Sequence, residues 1–139
     1  MDKPQTILVV EDSALLRAVA RDAMEGGGFR VIEAEDGKQG LDTAIKEHPD
    51  LILLDLLMPV MDGNTMYGLL RQDPWGKEVH IVVLTGIKDD QISEAMKSDP
   101  NLDCLLKDHW MMDDVVEKIK DELNTKGMVD QVKDILTTH

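Results

Sequence analysis

Aromatic side chains are scarce in this chain: Phe29, Tyr67, Trp75 and Trp110 are the only four among 139 residues. A core built from this composition has to be aliphatic, and the scattered methionines read as flexible core fillers. Cysteine is scarcer still. Cys104 stands alone, so no internal disulfide can form and a reducing, cytoplasmic setting is expected. It falls inside an apolar run, which reads as buried packing and not as a redox centre. No apolar stretch approaches the ~20 residues of a membrane span. Met1 to Gln5 lacks the charged and apolar regions of a signal peptide. Positive charge is in deficit: 15 basic against 28 acidic side chains leave a net charge of −13. A basic phosphate-binding face is therefore missing, which argues against direct contact with nucleic acid. The acidic residues are spread along the whole chain, as on a solvated surface. His48, His80, His109 and His139 show no metal-ligand spacing and read as surface or core residues.

What is present is an alternation. Apolar runs at 6–10, 29–34, 50–55, 79–84 and 102–106 read as strands, with stretches of helical period between them. Helices are expected over 14–24, from Asp36-Gly37 onward, and over 64–71, 89–97 and 111–123. Leu15, Leu16, Val19, Ala23 and Met24 share one apolar face of the first helix, which Gly26-Gly27-Gly28 ends. Leu41, Ala44 and Ile45 point inward from the second, and Val115, Val116, Ile119 and Leu123 are buried by the fifth. Lys88-Asp89 or Asp90 would cap the fourth. Right-handed crossovers then give an α/β fold of five βα units, a doubly wound parallel sheet with helices on both faces. The length is that of one domain. Beyond Gly127, Met128, Val129, Val132, Ile135 and Leu136 lie at helical spacing. This predicts a domain over 5–124 and an extension over 125–139, a short extra amphipathic helix packed on its own domain or presented to a partner.

Chemistry collects at the strand ends. Asp55 follows the apolar run Leu51-Ile52-Leu53-Leu54, and Glu11-Asp12 follows Ile7-Leu8-Val9-Val10. In open α/β sheets the carboxyl ends of parallel strands carry the ligand site. Three carboxylates brought together there cannot all stay ionised without a cation. Their hard oxygens suit Mg²⁺, and a carboxylate such as Asp55 can attack phosphorus to give an acyl phosphate. Structural readings stand beside these. Asp12 or Ser13 could cap the first helix, and Asp62-Gly63 reads as a turn and helix start.

Glu11-Asp12-Ser13, Asp55 with Met58-Pro59 and Met61-Asp62-Gly63, Thr85-Gly86 and Lys107 stand in order at four strand ends. In this set the chain resembles the receiver domain of two-component response regulators, of the chemotaxis-regulator-like kind, over about residues 5–124. The resemblance implies a flavodoxin-like fold with strand order 2-1-3-4-5. It implies Asp55 as phosphoacceptor, with Thr85 and Lys107 contacting phosphoryl oxygens. It implies Mg²⁺ held by Glu11, Asp12, Asp55 and the backbone carbonyl of Leu57. The phosphodonor would be a phosphohistidine on a sensor histidine kinase or a histidine phosphotransfer protein. The downstream protein would read the face formed by the fourth helix, fifth strand and fifth helix. Such a domain is a signalling switch, with no catalysis beyond its own phosphorylation and dephosphorylation.

Some positions depart from the family pattern. Asp108 follows Lys107 where receivers carry proline after a cis peptide, and a cis bond before a non-proline costs about 2.5–4 kcal/mol. A trans bond or a reshaped loop is expected there. Cys104 stands three residues before Lys107, where the family commonly places a switching aromatic, so movement of the Thr85-Gly86-Ile87 loop has to carry the switch. Leu57 and Ile87 cannot position a water by hydrogen bonding, which predicts slow loss of the phosphoryl group. Two rival readings remain. One is a degenerate receiver serving as a docking module. The other is a haloacid-dehalogenase-like phosphatase, which needs Asp-x-Asp after the first strand, where this chain has Glu11-Asp12-Ser13.

Overall fold

Leu51-Ile52-Leu53-Leu54 carries no polar side chain because both faces of this strand are covered, and it forms the middle of the sheet. In the computed structural model, five parallel strands lie in the order β2-β1-β3-β4-β5, as the doubly wound reading requires. They are β1 (Thr6–Val10), β2 (Arg30–Ala34), β3 (Leu51–Leu54), β4 (His80–Thr85) and β5 (Leu102–Leu106). The helices are α1 (Ala14–Gly26), α2 (Gly37–Glu47), α3 (Gly63–Gln72), α4 (Glu94–Lys97) and α5 (Met112–Thr137). The structure describes residues 4–137 except 57, 59, 87–91 and 107–109, and 125–137 by backbone alone.

Strand alternation sends successive side chains to opposite faces, so the sheet carries two cores. Leu8, Val10, Ile52, Leu54, Ile81 and Val83 pack under α2, α3 and α4. Ile7, Val9, Leu51, Leu53, Val82 and Leu84 pack under α1 and α5, where Val115, Val116, Ile119 and Leu123 are buried as expected. Short polar side chains start the helices. Ser13, Asp36, Asp62 and Ser93 each accept a hydrogen bond from a backbone N–H of the first turn. Ser93 therefore caps α4; the expected caps Asp89 and Asp90 lie outside the described residues.

Four expectations change. Leu15, Leu16 and Val19 are exposed, while Met24 is buried as expected and Ala20 is buried beside it. The apolar face of α1 is wider than the strip that reaches the sheet, and its first turns overhang the strand ends. Ile45 is likewise exposed while Ala44 is buried, because α2 approaches the sheet closely only along its small residues. Cys104 is exposed and not buried packing. It lies on an edge strand, on the face where the described part of α4 is a single turn. Finally, α5 does not break near Gly127: the backbone runs as one helix to Thr137, so no separate short helix follows. A single glycine costs a helix only about 1 kcal/mol, which the residues on either side can carry.

Candidate functional site

Register builds the site. Val10 pairs with Leu54 across β1 and β3, so Glu11 and Asp55 leave the sheet side by side. The ladder continues one step beyond each strand: Glu11 N–H donates to Ala34 O, and Asp55 N–H to Val10 O, both at 3.1 Å. Glu11 and Asp55 are buried and Asp12 is exposed. One carboxylate oxygen from each of Glu11, Asp12 and Asp55 lies within 4.8 Å of the others. The capping alternative for Asp12 does not hold, because Ser13 Oγ takes that role by accepting from Leu16 N–H at 3.2 Å. Asp12 is thereby left to face its acidic neighbours. Hydrogen bonding to the Glu11 carboxylate raises its pKa above the ordinary carboxylate value, and partial burial and the Glu11 charge add to the shift. The Arg17 guanidinium donates to the Glu11 backbone carbonyl, not to its carboxylate, at 2.8 Å.

The loop after Asp55 is held tightly. Gly63 N–H donates to Leu56 O at 3.0 Å, and a Cβ on Gly63 would stand 2.6 Å from Asp55 O and 2.8 Å from Leu56 Cα. No other residue fits there, so Gly63 is what lets α3 start against the backbone of the acidic residue. Asp62 Oδ1 accepts from Thr65 N–H at 2.8 Å, which makes the Asp62-Gly63 pair the structural turn and helix start it was read as. Val60 adopts a left-handed backbone with φ 66°, a conformation that a β-branched residue avoids. The loop that carries the site residues therefore stores strain. Gly63's close approach is a role that sequence reasoning missed. Its only trace in the sequence is a glycine beside a capping aspartate.

Thr85 ends β4 and is fully buried at the same edge of the sheet. It pairs with Leu106, the last residue of β5. Lys107, Asp108, Ile87 and the Leu57 carbonyl lie outside the described residues, and so does the expected trans bond. Glu11 and Asp55 also line a cavity of about 250 Å³, together with Leu16, Val19, Leu84 and Trp110. The donor set fits a hard divalent cation: three carboxylates, their oxygens close together, with the pKa of one raised by another. Among the described residues no helix is long and apolar enough to cross a membrane.

Comparison with known proteins agrees with this geometry. The profile of the response regulator receiver domain matches residues 7–120. The polar-differentiation response regulator DivK of Brucella ovis is 30% identical over 95 residues, which are 68% of this chain and 72% of that protein. The sensor histidine kinase TmoS of Ectopseudomonas mendocina is 33% identical over 106 residues, 76% of this chain but 11% of the kinase. Matched regulators from two algae are also longer proteins, of which this chain spans 34%. The solved structure of the chemotaxis protein CheY4 from Vibrio cholerae superposes with a TM-score of 0.76 at 24% identity, covering 86% of this chain and 98% of that one. At that identity the likeness speaks for the fold.

Proposed function

This chain belongs to the response regulator receiver domain family of two-component systems, and we propose that it acts there as a phosphoacceptor switch with Asp55 as the acceptor. The observation that supports this most is the meeting of Glu11, Asp12 and Asp55 at adjacent strand ends, with buried Thr85 on the neighbouring strand. Glu11, Asp12 and Asp55 would hold Mg²⁺, together with the Leu57 carbonyl. The ion, when bound, offsets the charge of the carboxylates and of an incoming phosphoryl group. Asp55 supplies the attacking oxygen and forms an acyl phosphate. The Thr85 hydroxyl donates a hydrogen bond to a phosphoryl oxygen, and Lys107 brings a point charge to another. Gly63 keeps the Asp55 backbone at fixed height, and Ser13 frees Asp12 by taking the helix cap.

The donor is a phosphohistidine on a sensor kinase or a histidine phosphotransfer protein. The exposed apolar side chains Leu15, Leu16 and Val19 beside the acidic site offer such a donor a place to dock. The domain extends over 5–124, and the output is a shift between two conformations read on the face of α4, β5 and α5. With Cys104 exposed on that face and no ring at that position, the loop after Thr85 carries the change. Loss of the phosphoryl group is slow, given Leu57 and Ile87. The setting is cytoplasmic.

Intact-mass analysis after incubation with acetyl phosphate and Mg²⁺ tests the core of this reading. One phosphoryl adduct is expected on the wild type, and none on Asp55→Asn or without metal. No adduct even from a phosphohistidine donor would point instead to a degenerate receiver used for docking.

A further inference from the structure

The fold brings a second set of metal-ligating side chains together, at the other end of the sheet. His80 opens β4, Asp103 lies in β5 and Glu122 in α5. His80 is opposite Leu51 in register, whereas Asp55 follows Leu54. At about 3.3 Å per residue the two places are roughly 13 Å apart along the strands. The His80 residue is only 8% exposed. Its Nε2 stands 3.1 Å from Asp103 Oδ2 and 3.5 Å from Glu122 Oε2, and one ligand atom from each of the three lies within 4.8 Å of the others.

Zinc binds imidazole nitrogen and carboxylate oxygen at about 2.0–2.2 Å, so a tetrahedral site has ligand–ligand edges of roughly 3.3–3.5 Å. The two edges that meet at His80 Nε2 are already of that size. Lys118 Nζ lies on the outer oxygens, 3.3 Å from Glu122 Oε1 and 3.9 Å from Asp103 Oδ1. The inner oxygens are left turned toward the imidazole, and the lysine stands where an outer partner orients ligating carboxylates. The side chains of Asp103 and Glu122 are 33% and 27% exposed, which gives an ion a way in and a water room to complete the shell.

We propose that His80, Asp103 and Glu122 form a second metal site for a borderline transition ion of the Zn²⁺ class. The imidazole nitrogen selects such an ion over Mg²⁺, which prefers an all-oxygen shell. Occupancy ties α5 to the β4–β5 edge, independently of the acidic site.

The test is calorimetric titration of the full chain with Zn²⁺ in excess Mg²⁺, which keeps the acidic site filled. One Zn²⁺ per chain is expected for the wild type and for Asp12→Asn. His80→Gln is expected to weaken binding at least tenfold, with an unchanged circular dichroism spectrum in chelator. Glu122→Gln, at a half-exposed helix position, is expected to weaken it too and decides the matter if His80→Gln does not fold. Co²⁺ in place of Zn²⁺ should give the visible absorption of a tetrahedral site in the wild type and Asp12→Asn, and not in the His80 and Glu122 variants. Absence of binding, displacement by Mg²⁺, or equally tight binding by both variants would overturn the proposal.

Discussion

Two acidic places in this molecule behave in opposite ways. At the strand ends, Glu11, Asp12 and Asp55 crowd together, and Asp12 is driven toward its protonated form by its own neighbours. At the corner where α3 meets the turn before β5, a single carboxylate, Asp99, collects every donor in reach. Tyr67 Oη donates to it at 2.7 Å, Arg71 Nε at 2.8 Å and Asn101 N–H at 2.8 Å. Arg71 also donates to the carbonyls of Gly76 and Val79, both at 2.8 Å, and stacks over the Tyr67 ring. Burial alone would push the Asp99 carboxyl up, but the bonds from Tyr67, Asn101 and Arg71 outweigh it and hold the carboxyl below its ordinary value. The corner is built to be finished within the chain. The strand-end site instead sets acidic groups against one another and, at Val60, holds a strained backbone. Crowded carboxylates of this kind are what a cation can relieve.

The largest test of this contrast is Arg71→Ala. It removes the donor of a largely buried ion pair and leaves two carbonyls short, so a loss of about 3 kcal/mol is expected by urea unfolding. A loss below about 1 kcal/mol, the size of a surface pair, would mean that the corner is held no more firmly than an exposed ion pair. Next comes pH. The Asp99 carboxyl titrates lower in the folded chain than in the unfolded one, so its contribution is present above the ordinary carboxylate pKa and is lost as pH falls through the lowered value. Wild type should exceed Asp99→Asn by about 1–2 kcal/mol at neutral pH, and the two stability curves should converge in acid. Parallel curves would sink that assignment.

At the site the effects reverse in sign. Val60→Asn suits the left-handed backbone better and should stabilise the chain by about 1 kcal/mol, read as a higher melting temperature. Asp12→Asn should give the smallest change, a gain of less than about 1 kcal/mol in chelator, because Asp12 is solvent-exposed. Its folded pKa is raised, so its contribution is present in acid and is lost as pH rises through that raised value. The gain from Asp12→Asn should therefore appear toward neutral pH, opposite to the Asp99 case. Excess Mg²⁺ should stabilise the wild type, by about 2.7 kcal/mol at one hundred times its dissociation constant, and leave Asp12→Asn unmoved. A metal-free wild type more stable than Asp12→Asn at neutral pH would break the comparison.

Much of the molecule was legible in the chain itself. Five apolar runs with helical stretches between them determine the strands, and two-residue alternation within them determines which side chains face which helix layer. Glu11, Asp12 and Asp55 were readable as a set because parallel strands end where the ligand site of such sheets lies, and Thr85 joined them through the family resemblance. Helix limits and exposure were less so. Periodicity marks an apolar face but not how much of it a neighbour covers, which is why Leu15, Leu16 and Val19 lie outside the core; α5 continues past Gly127 because one glycine is too weak a stop. Cys104 looked buried because an apolar run does not say whether its strand is at the centre or the edge of the sheet.

The sequence by itself determined the fold class and the acidic set, because both follow from short-range patterns: strand period, helix period and residues at strand ends. Only the tertiary structure decided what joins over long separations. It brought Asp99 to Tyr67 and Arg71, and His80 to Asp103 and Glu122. No local spacing encodes such meetings. They depend on strand register and on how α3 and α5 lie across the sheet, which are settled by packing of the whole chain.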